Sequence, residues 1–162
     1  MRALETTAET SSRMSKQRSR NTDVEMALRR ALHASGFRYR VHRRPLKGVR
    51  READIVFGPA KVAVFVDGCF WHGCPEHATW PKRNSMFWRE KIEKNRERDA
   101  NTDARLQEAG WVSLRVWEHE AADVAAARVA AVVAERRALQ RAGRAVRGVA
   151  LEGGQESSPT GI

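Results

Sequence analysis

The chain has 162 residues, with 30 Lys and Arg against 20 Asp and Glu, a formal charge of +10. That length fits one domain with a real hydrophobic core, and the charge favours a polyanionic partner, either nucleic acid or an anionic membrane surface. No apolar run approaches the roughly 20 residues of a membrane span, no N-terminal stretch has a signal-peptide core, and two closely spaced cysteines make no disulfide framework, so a cytoplasmic protein is expected.

Residues 1–20 are polar and lack apolar periodicity. They read as a flexible arm whose basic half, "RMSKQRSRN", could track phosphates or simply be solvated. Thr22 opens a helix. In "TDVE" the Thr22 hydroxyl would accept from the Glu25 amide while Glu25 reaches back to Thr22, a capping box. Val24, Leu28, Ala31 and Leu32 supply the buried stripe, and Gly36 ends it. Three strands are predicted next: 37–43, which alternates; 53–57; and 62–67, apolar almost throughout, as a central strand is. "FGPAK" between the last two suits a hairpin turn. A long helix over "NSMFWREKIEKNRERDANTDARLQEAG" is ended by Gly110. A strand (111–118) and an alanine-rich helix from about Ala121 to Ala142 follow. The reading is a basic arm (1–20), an α/β domain (21–143) and a Gly/Ser-rich tail (144–162) expected to be disordered.

The chemistry concentrates in "VFVDGCFWHGCPEH", residues 64–77. Cys69, Cys74 and His77 offer three zinc donors on a short loop, and His119, just past a strand end, is placed to be the fourth. Four protein ligands would make such a site structural. The plain alternative is two buried free cysteines with incidental histidines. His72 could stand in for His77, but it lies close to Asp67 and after Phe70-Trp71, where handling a proton suits it better. Asp54 and Asp67 fall on consecutive strands, and antiparallel pairing through "GPAK" brings them to one end of the sheet. Carboxylates there could hold magnesium against a phosphate, although lone strand-edge acids more often face water. In the long helix Trp88, Ile92, Asn95 and Asp99 step by four, three and four onto one face. Ile92 reads as core. Trp80, Trp111 and Trp117 read as packing residues.

The segments "RNTDVEMALRRAL", "READIVF", "VFVDGCFWHGC", "FWREKIEKNRERD" and "GWVSLRVWEHE" resemble the very short patch repair (Vsr) DNA mismatch endonucleases over about residues 14–120. The resemblance implies an α/β fold like that of type II restriction enzymes, a mixed sheet flanked by helices, with a structural zinc loop. It also implies a magnesium-dependent nick in one strand of duplex DNA at a T·G mismatch. It makes Asp54 a magnesium ligand, Val66 a ligand through its backbone carbonyl and His72 the general base. Asp99 would orient that base, and Glu25 would be linked to metal-bound water. Phe70, Trp71 and Trp88 would wedge into the duplex beside the mismatch. Cys69, Cys74, His77 and His119 fall around the family's zinc site. The family pattern has histidine where this chain has Asp67, and an acid there could add a magnesium ligand.

The expectation is therefore a monomeric nuclease with double-stranded DNA as substrate and other repair proteins as candidate partners. Two rivals remain. One is a nuclease of the same fold acting on other DNA in a restriction or defence system; the other is a non-catalytic zinc-bearing DNA-binding module.

Overall fold

The structure, a computed structural model, describes residues 20–77, 82 and 84–152, so the expected arm up to residue 19, Trp80 and the last ten residues lie outside it. Helix α1 (Asp23–Ala34) precedes strands β1 (Arg40–Arg43), β2 (Ala53–Phe57) and β3 (Val62–Asp67). Helix α2 (Ser85–Glu108), strand β4 (Val112–Trp117) and helix α3 (Ala122–Glu152) follow. The sheet order is β1-β2-β3-β4. β1/β2 and β2/β3 pair antiparallel, and β3/β4 pair parallel across the α2 crossover, so the sheet is mixed.

Alternation along the strands sends successive side chains to opposite faces. Ile55, Phe57, Val62, Val64 and Val116 pack against Leu28 and Leu32 of α1 and Val129 and Val133 of α3. Val56, Ala63 and Phe65 face the other way, where Leu106 of α2 and half-buried Trp111 cover them. The result is three layers with α1 and α3 on one side and α2 on the other. Among the described residues no helix is long and apolar enough to cross a membrane.

Three local readings change. The strand expected over 37–43 begins only at Arg40, because Phe37 and Tyr39 turn in to meet the Phe57 ring edge-on at 6.2 and 5.8 Å. The capping box closes on one side only: the Thr22 hydroxyl accepts from Glu25 N at 3.3 Å, but Glu25 accepts from Asn21 N, not Thr22 N. The last helix passes Gly143 and runs to Glu152, so residues 144–152 are helical where a tail was expected. One interior glycine costs a helix about 1 kcal/mol. Here it is flanked by helix-favouring residues, and Arg147 Nε donates to its carbonyl at 3.2 Å.

Candidate active site and metal-binding loop

The 68–77 loop leaves the end of β3 and folds tightly on itself, with His72 N donating to Gly68 O and Cys74 N to Cys69 O. Gly73 takes φ +62°, and a Cβ there would lie 3.0 Å from Ile92 Cγ2 of α2. We expect Gly73→Ala to lower stability by about 1–3 kcal/mol, combining left-handed strain with a contact that packed Ile92 cannot relieve. Thermal unfolding would read this as a lower melting temperature.

Cys69, Cys74, His77 and His119 bring their donor atoms within 4.8 Å of one another. Cys69 Sγ is 3.1 Å from His119 Nδ1, and Cys74 Sγ lies 3.7 and 3.9 Å from Nδ1 of His119 and His77. Zinc bonds of about 2.0–2.3 Å in a tetrahedron set donor–donor edges near 3.3–3.8 Å, so this donor set fits that ion. The far nitrogen of His119 lies 3.7 Å from a Glu76 carboxylate oxygen, an arrangement that orients ligating histidines. Glu118 accepts from Cys69 N at 2.8 Å, tying the loop to the end of β4. Burial and the neighbouring Cys74 push the Cys69 thiol up to about 11.

Beside this loop, His72 Nδ1 and Asp99 Oδ2 are 2.5 Å apart. Burial works against the charged form of Asp99, but the His72 hydrogen bond and the Arg115 charge win and hold its carboxyl below the usual range. An ionised Asp99 only accepts, so the proton between the two sits on His72 Nδ1, which selects the tautomer whose lone pair, in the neutral ring, is on Nε2. Arg115 organises the acids around this pair. Its guanidinium donates to both Asp67 oxygens at 3.0 Å and to both Asp103 oxygens at 3.1 Å, and reaches Asp99 Oδ1 at 3.5 Å. Burial pushes the Asp67 carboxyl up, with His72 and Arg115 opposing.

A second acid group lies where β2 and β3 part. Their pairing ends at Ile55↔Val64, and beyond it the Val66 amide donates to the Asp54 carboxylate at 2.7 Å. Asp54, Glu25 and His42 bring donor atoms within 4.8 Å of one another. Burial, reinforced by the charges of Glu25 and Asp67, pushes the Asp54 carboxyl from 3.8 up to about 6, against the Val66 hydrogen bond and the Arg29 charge. Arg29 bridges Glu25 at 3.1 Å and His42 Nε2 at 3.0 Å.

The structure thus brings together Cys69, Cys74, His77 and His119; Asp67, His72 and Asp99; and Glu25 with Asp54. Asp54 and Asp67 do reach one end of the sheet, but their carboxylates join different groups. Val66 meets Asp54 through its amide. Phe70, Trp71 and Trp88 form one half-buried edge-to-face cluster, with ring centroids 5.2–5.9 Å apart. Lys91 stands over the Trp71 ring at 5.3 Å, and Asn95 donates to the Trp71 carbonyl at 2.9 Å. The stripe from Trp88 to Asp99 therefore faces the loop along its whole length. Trp111 packs under the sheet and Trp117 stacks on His119.

Sequence reasoning passed over Arg115, Arg29 and His42. Arg115 had a signal: a cation amid apolar residues of a strand, two positions from Ser113, which also bonds Asp103. Arg29 stands four residues after Glu25, a helical ion-pair spacing. His42 had none, because only the hairpin register brings it beside Asp54.

The family model described as "DNA mismatch endonuclease Vsr" matches residues 4–77. The type II nicking enzyme V.NaeI of Lentzea aerocolonigenes is 49% identical over 109 residues, 66% of this chain and 66% of that relative. V.XorIIP of Xanthomonas oryzae pv. oryzae, also a type II nicking enzyme, is 43% identical over 115 residues, 70% of this chain and 82% of that relative. The DNA mismatch endonuclease Vsr of Escherichia coli is 39% identical over 103 residues, 61% of this chain and 62% of that relative.

Proposed function

The chain belongs to the Vsr family of DNA endonucleases, and from that premise we propose that it makes a magnesium-dependent nick in one strand of duplex DNA at T·G mismatches. Membership sets aside the non-catalytic binding module. The mixed sheet with helices on both faces supports a restriction-endonuclease-like fold, and the clustered donors of Cys69, Cys74, His77 and His119 support a zinc staple; we take the enzyme to work as a monomer.

The observation that carries the reading is the pairing of two unlike groups at one sheet end. A half-buried carboxyl, Asp54, is open to a cation, and an imidazole, His72, is held by Asp99 at Nδ1. Magnesium bound at Asp54 and the Val66 carbonyl would offset charge on the scissile phosphate. Its preference for oxygen fits Asp54 and Glu25 better than His42, whose Nε2 already meets Arg29. His72 Nε2 takes the proton of the attacking water. Asp99 holds the imidazole in the needed tautomer and stabilises it once protonated. Arg115 keeps Asp99 ionised and neutralises Asp67, so that Asp67 steadies His72 and the metal is left to Asp54 and Glu25. Phe70, Trp71 and Trp88 wedge between base steps, and a mismatched step gives way at lower cost than a matched one.

A second reading, a nuclease of the same fold acting on other DNA, is favoured by relatives named as type II nicking enzymes. End-labelled duplexes, matched and with one T·G pair in several contexts, separate the two readings. With magnesium we expect a nick in the mismatched strand only. Equal cutting of both duplexes would replace repair with the restriction-type target, and a nick without divalent metal would remove the metal from the mechanism.

A further inference from the structure

Between Arg38 and Arg51 the chain carries seven Lys and Arg and no acid. The structure places these cations on edge strand β1 and on the 44–52 loop that joins it to β2. That loop leaves the sheet beside the acid group, since Arg43 pairs with Ala53, the neighbour of Asp54. Arg40, Arg43, Arg44, Lys47 and Arg50 are exposed. None of the five side chains takes part in a hydrogen bond or ion pair among the described residues, whereas Arg51 is tied to the Arg98 carbonyl and to Thr102. Arg38, Arg40, Arg43 and Arg44 also line an open cavity of about 570 Å³ floored by Val56 and Trp111.

We propose that this arginine-rich face is a track for the phosphate backbone of the duplex flanking the cut, a contact surface separate from the aromatic wedge. The proposal deepens the DNA-cleaving reading of the site and rests on it, but not on the T·G preference or the metal. Unpaired exposed cations beside a cut site repel one another unless an anion lies across them. A duplex offers one charge per about 1.7 Å of its axis, so several can be met at once. The loop is anchored by Arg51 and by the ion pair of Arg20 with Glu52, which presents the cations in a fixed direction. Charge on an edge strand also deters sheet-to-sheet association, and a salt titration tells the two roles apart.

The test compares Arg43→Gln/Arg44→Gln with Arg141→Gln/Arg144→Gln, an equal loss of charge from exposed positions on α3. Fluorescence anisotropy would follow binding to matched and T·G duplexes between about 50 and 200 mM salt. The first pair should flatten the dependence of log K on log salt by about 2 and weaken binding at least about tenfold at the low-salt end. The loss should be alike on both duplexes, because phosphate contacts carry no sequence. The α3 pair should leave the slope unchanged. Melting temperature and nicking at saturating DNA should survive in both. Equal flattening by the two pairs, or none by the first, overturns the proposal. If the wild type binds but does not nick T·G duplexes, the specificity reading fails and the slope comparison still judges this face.

Discussion

Asp54→Asn is expected to abolish nicking and, in the same molecule, to raise the melting temperature. Asparagine keeps the acceptor for the Val66 amide at 2.7 Å, so the splayed end of β2 and β3 stays closed. It removes the charge that a cation needs. It also removes a charge that folding disfavours, because burial pushes the Asp54 carboxyl from 3.8 up to about 6. That displacement is worth at most about 3 kcal/mol, and solvent at a half-open site trims it to about 1–2 kcal/mol, a few degrees for a domain of this size. Between about pH 4 and 6 the native protein binds a proton at Asp54 that the unfolded chain has released, so the wild type gains stability as pH falls through that window. The advantage of the asparagine variant should therefore be full above pH 6 and vanish near pH 4, in metal-free buffer. A variant less stable than wild type at pH 7.5 would mean that Asp54 is a structural acid, and residual nicking would move the metal elsewhere.

The second large effect concerns the Cys/His loop. We expect the purified protein to carry one zinc per chain by elemental analysis and Cys74→Ala to carry none. A structural zinc contributes folding energy outright. Losing it should cost at least about 3 kcal/mol, or some 6–12 °C at this size. Nicking should fall too, because the loop that closes around Cys69 and Cys74 is the one that carries Phe70, Trp71 and His72. A metal-free preparation, with Cys74→Ala melting like the wild type, would restore the reading of two buried free cysteines.

Much of this arrangement was legible in the chain because local rules and burial agreed. β2 and β3 have the expected bounds, since continuous apolar runs framed by "FGPAK" leave the register little freedom. The face of α2 was legible because Trp88, Asn95 and Asp99, at helical spacing with core Ile92 between them, point one way. The rest depended on partners far apart in sequence. The sequence offered Asp67 as an added metal ligand but not its ion pair with Arg115, 48 residues on, which meets both its oxygens. The Glu25 amide does bond to Thr22 as the capping pattern has it, but the carboxylate's neighbours Arg29 and His42 were not legible. The end of α3 was misjudged because a glycine weighs heavily in a local pattern and lightly inside a long helix.

The parallel pairing of β3 with β4 across α2 has a consequence for the cell that makes this protein. The hairpins β1–β2–β3 can form from neighbouring chain, but β4 must wait until the ribosome has released the whole crossover. Arg115, Glu118 and His119 all emerge with β4, some fifty residues after Cys69. Until then Asp67 and Asp99, beside His72, lack the guanidinium that ties them together, and Cys69 lacks its contact with His119. If the proposed site is the one that cuts, a chain released only as far as α2 would be unable to nick DNA, and the capacity would arrive with β4.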